Sequence, residues 1–217
     1  MKKWLALILC IVMAMSMTLL AGCGGSDSTE EAAPEETVEV EETAEEELVD
    51  PSEGGKYGYA GVNPIDAATY KYLVEDVSAS YDPADVSIPI VQIVGVDDSK
   101  AEDTLVWGDF WINNYNINGD TLECVSGGNY PGVMHLAKSG DFYEVTSFDV
   151  VEDGGNFESS AKDLFGDKYD NFMSVMGDQD TREEVRAEQI AVYVKANGLE
   201  VTKYQDTGWD PVDIPLQ

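Results

Sequence analysis

The side chains of this chain that are suited to chemistry are few, and most lie in the middle third of the sequence. His135 is its single histidine. A two-residue turn at Ser139-Gly140 would place His135 directly opposite Glu144 on the neighbouring strand. Such a pair can transfer protons, but a histidine opposite an acid on a sheet is more often a cross-strand ion pair. We therefore take His135 and Glu144 as candidate ligand-binding residues and predict no catalytic residue.

An aromatic stripe is the second candidate site. In the segment 104–117, alternate residues point to the same face of a strand, so Trp107, Trp111 and Tyr115 share one face. That face also carries the polar residues Asp109 and Asn113. Rings mixed with a few polar groups are typical of a ligand pocket, although general burial tendencies favour tryptophans that cover a core beneath helices. We therefore count Trp107, Trp111 and Tyr115 among the candidate ligand-binding residues.

Metal and cofactor motifs are missing. The segment 114–119 has the alternating oxygens and glycine that begin a calcium loop, but the twelfth position of that loop is Val125 instead of glutamate. A two-residue hairpin turn explains these residues better. One histidine and one available cysteine exclude an ordinary zinc cluster. No phosphate-binding loop, dinucleotide fingerprint or nucleophile elbow occurs. The sequence predicts no metal and no cofactor, and it favours a protein that is not an enzyme without deciding the point.

Helices are predicted at both ends of the domain that carries these residues. Asn63 and Pro64 suit the cap and first position of a helix that runs to about Ala79. Helical spacing recurs near the C-terminus, where a stripe of Val185, Gln189, Val192 and Ala196 indicates the buried face of the last helix. Three C-terminal helices are predicted, over 159–165, 167–176 and 180–196.

Strands are predicted between these helices. Apolar and branched residues predict strands over 86–96, 104–117, 133–138 and 141–151, with a hairpin turn at Asn118-Gly119, an interruption at 127–132 and a further strand over 199–204. Helix, meander and helices together predict an α+β fold, a twisted antiparallel sheet with the N-terminal and C-terminal helices packed on one face. The order of elements is similar to that of cystatin-like and NTF2-like cones.

The charge of the chain restricts its partners. It carries 43 acidic and 12 basic residues, a net charge of -31. Nucleic acids and anionic lipid surfaces bind clusters of lysine and arginine. Such clusters are missing from this sequence, so a nucleic-acid partner is excluded.

The N-terminus carries an export signal. A short positive start and an apolar run over 5–20 precede Leu20-Ala21-Gly22-Cys23, which predicts a signal peptide over 1–22. The four residues resemble the lipobox of bacterial lipoproteins. The resemblance implies that Cys23 carries a diacylglycerol and that acyl chains such as palmitate anchor the protein to the extracytoplasmic face of the cell membrane.

An acidic segment follows the anchor. Residues 24–55 contain thirteen Asp or Glu and no Lys or Arg, so the segment cannot bury enough apolar surface to fold. We predict a disordered linker over 23–56 and a single extracytoplasmic domain over 57–217. Cys124 is then the only thiol left in the domain, and no intramolecular disulfide can form.

The block from about Ile90 to Phe165 is similar to small extracytoplasmic domains of Gram-positive bacteria. The residues that carry the likeness are Asn118-Gly119-Asp120, the run 141–145 leading to Phe148, and the run 160–166. Such domains occur in lipoproteins of unknown function and in the outer regions of some membrane zinc-peptidase sensors. The peptidase's zinc motif and membrane bundle are missing from this sequence, so peptidase activity is not implied.

Three functions remain open at this level. The first is a lipid-anchored, non-enzymatic module at the cell surface that binds a peptide, a protein or a small ligand. The second is a small-molecule enzyme with an NTF2-like pocket on the aromatic face. The third is an envelope sensor or an inhibitor of a neighbouring membrane protein.

Overall fold

The computed structural model describes residues 55–215. The predicted signal peptide, the lipobox with Cys23 and nearly all of the acidic linker lie outside these residues. Packing reaches back to the start of the described chain, because Tyr57 is buried and its hydroxyl donates to Glu75 Oε1 at 2.9 Å. The segment before the first helix is therefore part of the fold.

Helix α1 (Pro64–Tyr72) begins where the sequence predicts it. Asn63 is the N-cap, and its side-chain oxygen accepts a hydrogen bond from the backbone nitrogen of Ile65 at 3.0 Å. Pro64 takes the first position, where a missing N–H costs nothing. The helical path then continues through a π-helical turn (Leu73–Val77) and a 3-10 turn to Ser80.

Seven strands form one open sheet in the described part of the chain. The long β2 is its centre: β1 pairs along one edge, while β4 and β3 pair with successive halves of the other edge. From these, β5 extends the sheet beyond β4, and β6 and β7 extend it beyond β3. Every pairing is antiparallel except that of β3 with β6. The strands are β1 (Val86–Asp97), β2 (Thr104–Asn118), β3 (Thr121–Asn129), β4 (Gly132–Ser139), β5 (Phe142–Val150), β6 (Lys203–Gln205) and β7 (Val212–Asp213).

Three helices connect β5 to β6. They are α2 (Phe157–Phe165), α3 (Tyr169–Gly177) and α4 (Gln179–Ala196). The side chain of Asp178 caps α4 by accepting from the backbone nitrogen of Thr181 at 3.1 Å. The mixed helices and sheet confirm the predicted α+β class.

The core consists of three apolar clusters. Residues of α1 pack with Phe110 and Ile112 of β2. Ile190 of α4 packs with Tyr115 of β2. The third cluster joins α2 and α3 through stacked phenylalanine rings whose centroids are 4.1 Å apart. Each helix is therefore held by buried apolar area, which is the main stabilising term in folding.

Both hairpins turn one residue later than the sequence predicts. The two-residue turns are Gly119-Asp120 and Gly140-Asp141, because Asn118 pairs with Thr121 and Ser139 pairs with Phe142. Each glycine then takes the first central position with φ near 60°. Glycine adopts positive φ without the steric strain that a side chain would bring, which explains the shift.

Bulges change the predicted register further. The later turn places Tyr115 opposite Cys124, and not opposite Leu122 as a turn at Asn118-Gly119 would. An extra residue in β3, Val125, then places Ser126 opposite Asn114. A second bulge between β4 and β5 places Ser147 opposite His135. The predicted pairing of His135 with Glu144 is wrong, and Glu144 is opposite Ala137 instead.

The glycines of β3 are in the strand and not in a loop. We expected the interruption to begin at Gly127, but β3 continues to Asn129. A Cβ on Gly127 would lie 2.6 Å from the carbonyl oxygen of Ile112, and one on Gly128 would lie 2.3 Å from the Tyr81 hydroxyl. Because these glycines have no side chain, the backbone of β2 and the side chain of Tyr81 can approach β3 closely. The glycines do not form a turn.

Candidate ligand-binding cleft

A cleft opens where β3 and β6 part. The two strands pair only as far as Glu123 and Gln205. Immediately beyond, the extra residue Val125 bends β3, while the chain after β6 turns towards β7. The result is a concavity of about 410 Å³ lined by Glu123, Cys124, Val125, Gln205, Asp206, Thr207 and Gly208. Its size falls within the usual range for ligand pockets, roughly 300–1,000 Å³.

The loop on one side of the cleft is held by hydrogen bonds. Thr207 Oγ1 donates to the carbonyl oxygen of Cys124 at 3.2 Å, which ties the loop to β3. Gln205 Nε2 donates to the carbonyl oxygen of Trp209 at 2.6 Å, and Trp209 N donates to Asp206 O at 3.1 Å. Trp209 itself is 75% exposed. The fold thus fixes the backbone of a loop that presents an indole to solvent.

Arg186 of α4 supports the wall of the cleft from inside. Its Nη1 and Nη2 donate to the two carboxylate oxygens of Asp206 at 2.7 and 2.5 Å. Nε and Nη2 donate to the Tyr115 hydroxyl at 3.2 and 3.0 Å. Glu183 lies 3.5 Å from Nη1. A bidentate pair of this kind fixes the orientation of both groups, so Asp206 is held in place.

Burial and charge shift the pKa values of these groups. Hydrogen bonds from Arg186 hold the pKa of Asp206 below its ordinary value. Burial alone would lower the pKa of Arg186, but the bonds to Asp206 and Tyr115 outweigh it and the net change is upward. Burial also raises the pKa of the Tyr115 phenol and of the Cys124 thiol. At neutral pH the site contains an ion pair, a neutral phenol and a neutral thiol.

This arrangement is suited to binding more than to bond-making. A nucleophilic cysteine needs a lowered pKa, and that of Cys124 is raised. Within residues 55–215, no group of histidine, cysteine and acidic side chains is arranged to hold a metal ion. What the cleft offers a ligand is carboxylate, amide and hydroxyl groups beside exposed apolar surface.

The aromatic stripe lies largely against the C-terminal helices. Trp107 Nε1 donates to the carbonyl oxygen of Leu164 at 3.0 Å, and Lys168 Nζ lies 4.3 Å from the centroid of the ring. The guanidinium of Arg182 lies 4.8 Å from the centroid of the Trp111 ring. Tyr115 is fully buried. Of the three predicted residues, Tyr115 alone is bonded to the network that supports the cleft wall.

His135 is bonded to residues that the sequence did not indicate. Its Nδ1 is 2.7 Å from Asp103 Oδ1, and its Nε2 is 3.3 Å from Asp149 Oδ2. Glu144 is exposed and lies opposite Ala137, two residues along β4 from His135. The strand β2 separates both from the cleft. The structure therefore does not bring these two residues together with the aromatic stripe in one site.

Sequence reasoning missed Arg186 and Asp206. The predicted buried stripe of α4 is Val185, Gln189, Val192 and Ala196. Of these Gln189 is buried, and the other buried residues of the helix are Arg182, Arg186, Ile190 and Ala191. Helical spacing is satisfied equally by 182, 186 and 190. The rarity of basic residues in so acidic a chain is the signal that singles out Arg182 and Arg186.

Comparison with known proteins identifies no relative of this chain. No protein-family model, no curated protein and no solved structure matches the chain. Among the residues that the structure describes, none of the helices has the length and apolar character needed to cross a membrane.

Proposed function

We propose that this protein is a lipid-anchored, extracytoplasmic binding module whose ligand site is the cleft between β3 and the loop after β6. It acts without catalysis, at the cell surface, on a peptide, a protein or a small ligand. The observation that carries the proposal is the cleft itself, a concavity bordered by an exposed, hydrogen-bonded loop.

The rigidity of the cleft supports this role. Pockets that bind ligands are mostly formed before the ligand arrives, because ordering a loop on binding costs affinity. Thr207 ties the loop to β3, and the bidentate pair of Arg186 and Asp206 ties it to α4. A binding surface of this kind needs no large rearrangement.

The sequence supports the location. The lipobox-like segment ending in Cys23 and the acidic segment after it suit a domain held away from an anionic membrane surface. A cleft on such a tethered domain would meet ligands outside the cytoplasm.

Binding is tested by nuclear magnetic resonance on the full-length protein in detergent micelles. Panels of short peptides, amines, sugars and carboxylic acids are titrated while backbone amide shifts are followed. We expect saturable shifts confined to the cleft residues. The variant Val125→Arg fills the cleft from an exposed position and should abolish them. Val150→Arg, at a comparably exposed site on β5, is the matched control and should not. Shifts that spread over the surface, or survive in Val125→Arg, would contradict the proposal.

The anchor is tested by replacing Cys23 with serine. Without the thiol no lipid can be attached, so the protein should move from the membrane fraction to the soluble fraction of the cells. Its circular dichroism spectrum should stay the same, because Cys23 lies outside the folded domain predicted for 57–217. Retention of the serine variant in the membrane fraction would show that another segment holds the protein there.

The two other functions remain proposals with less support. An enzyme on the aromatic face would need space beside Trp111, where Arg182 stacks on the ring. A sensor or inhibitor of a membrane protein would use the same cleft towards a protein partner, and site-specific crosslinking from Val125 in cells would capture that partner.

A further inference from the structure

We propose that the cleft recognises a basic peptide side chain, with the Glu123 carboxylate and the Trp209 indole as its principal contacts. This inference rests on the proposed binding function and adds the class of ligand. The observations behind it are the charge of the lining, the engagement of Arg186 and the exposure of Trp209.

The lining offers negative charge only. Glu123 and Asp206 are its ionisable acids, and no lysine or arginine is among the lining residues. Arg186 stands behind Asp206, but its guanidinium donates four hydrogen bonds to Asp206 and Tyr115, and Glu183 lies 3.5 Å from Nη1. With four of its five N–H donors bonded and a second carboxylate nearby, this guanidinium is poorly placed to bind a ligand anion. A carboxylate or phosphate ligand would therefore meet repulsion without a compensating hydrogen bond from a cation.

The two acids differ in their freedom to bind a ligand. Asp206 has both oxygens bonded to Arg186, so the guanidinium largely balances its charge and its oxygens are engaged. Glu123 accepts one hydrogen bond, from Asn118 Nδ2 at 2.8 Å through Oε1. A carboxylate has about four acceptor positions on its two oxygens. Glu123 thus keeps acceptor capacity for an ammonium or guanidinium group.

An exposed aromatic side chain belongs to the loop that borders the cleft. Trp209 directly follows Gly208, a lining residue, and its backbone is bonded on both sides by the turn. Tryptophan is the best aromatic partner of a cation, and aromatic rings recognise ammonium groups of ligands. The methylene stem of a lysine would also cover Val125, which is half exposed.

The charge of the whole chain acts in the same direction. A net charge of -31 attracts cationic ligands over long range and raises their association rate. This effect is not selective for the cleft, so the experiment has to separate local recognition from general attraction.

The test compares three capped tripeptides by calorimetry on the full-length protein in micelles. Acetyl-Gly-Lys-Gly-amide is the probe, the norleucine peptide is its neutral isostere, and the glutamate peptide reverses the charge. We expect saturable binding of one lysine peptide per chain, binding about tenfold weaker for norleucine, and none for glutamate. Higher ionic strength should weaken the lysine complex.

Variants locate the interaction. We expect Glu123→Gln to weaken lysine binding about fivefold and Trp209→Ala to weaken it about threefold. Asp163→Asn removes an equal charge from an exposed position on α2, the helix that packs near β4, and should leave the affinity unchanged. Equal weakening by Asp163→Asn and Glu123→Gln would show general attraction and overturn the inference.

The outcomes also separate this inference from the proposed function. If the norleucine peptide binds the cleft as tightly as the lysine peptide, the cleft is a binding site but the choice of a cation is wrong. If neither these peptides nor any member of the broader panels perturbs the cleft, the proposed binding function fails as well.

Discussion

Two arginines on α4 occupy similar positions and have different surroundings. Arg182 and Arg186 are one helical turn apart, both are buried, and they lie near the rings of Trp111 and Tyr115 on the same strand. Arg182 stacks on its ring and donates to the carbonyl oxygen of Met176 at the end of α3. Arg186 instead reaches a carboxylate, Asp206, at the edge of the cleft.

The difference comes from what lies beyond each guanidinium. Beyond Arg182 lies the backbone of α3. The guanidinium of Arg182 and the Trp111 ring on which it stacks are therefore enclosed by the protein. Beyond Arg186 are a bulged β3 and the three-residue β6, which leave a gap that is only partly filled by the loop after β6. The same residue type and spacing therefore give core packing in one place and the wall of a cleft in the other.

The largest expected effect is the loss of Arg186. Arg186→Met leaves the Tyr115 hydroxyl and the Asp206 carboxylate without their donor, so we expect the free energy of unfolding to fall by about 3 kcal/mol. Arg182→Met removes one hydrogen bond and a ring contact and should cost about 1 kcal/mol. Urea unfolding of the full-length chain measures both. Equal losses would mean that the two arginines have equivalent roles.

The tryptophans give the next comparison. Trp111→Ala removes a half-buried ring beneath Arg182 and should lower the free energy of unfolding by about 2 kcal/mol, below the range for a fully buried ring. Trp209→Ala removes an exposed ring and should change it by less than about 0.5 kcal/mol. Thermal unfolding provides the measurement. A large loss for Trp209→Ala would indicate a packing role and weaken the case for a ligand contact.

Replacing Asp206 should lower the stability by a smaller amount, and this loss should depend on pH. Asp206→Asn loses the charge that Arg186 binds, and about 1.5 kcal/mol of stability should be lost near neutral pH. The side chain is 42% exposed, so solvent screening keeps the value modest.

The pH dependence follows from the lowered pKa of Asp206. A carboxyl group whose pKa is lower in the folded state than in the unfolded state stabilises the fold at pH values above its unfolded-state pKa, which is about 3.9. That contribution is lost as pH falls through the folded pKa. The stability difference between the parent protein and Asp206→Asn should therefore be constant from pH 7 to about 5 and shrink below about pH 4. Unfolding curves across this range measure it, and a difference that persists unchanged at pH 2 would contradict the assignment.

Much of the fold could be predicted because its signals are local. The cap of α1 depends on Asn63 and Pro64, which lie side by side in the sequence, and the structure confirms it. The alternation over 104–117 identified β2, the strand that joins the two halves of the sheet. The hairpin turns were located to within one residue, since a glycine determines where positive φ is tolerated.

The candidate site could not be predicted in the same way. Its parts come from β3, α4 and the loop after β6, more than eighty residues apart at the extremes. The bulge at Val125 has no strong sequence signature, and one extra residue changes every pairing beyond it. The aromatic stripe was identified correctly as one face, yet its contacts depend on which helix covers it.

The amino-acid sequence by itself determined the acidity, the α+β class and the starts of α1, β1 and β2, and it predicts the export signal. These depend on composition and on residues within a few positions of one another. The tertiary structure alone decided the register of β3, the parallel pairing of β6, the partners of His135 and the meeting of Arg186 with Asp206. Such contacts join distant segments whose relative placement follows from packing the whole domain, and no local pattern encodes them.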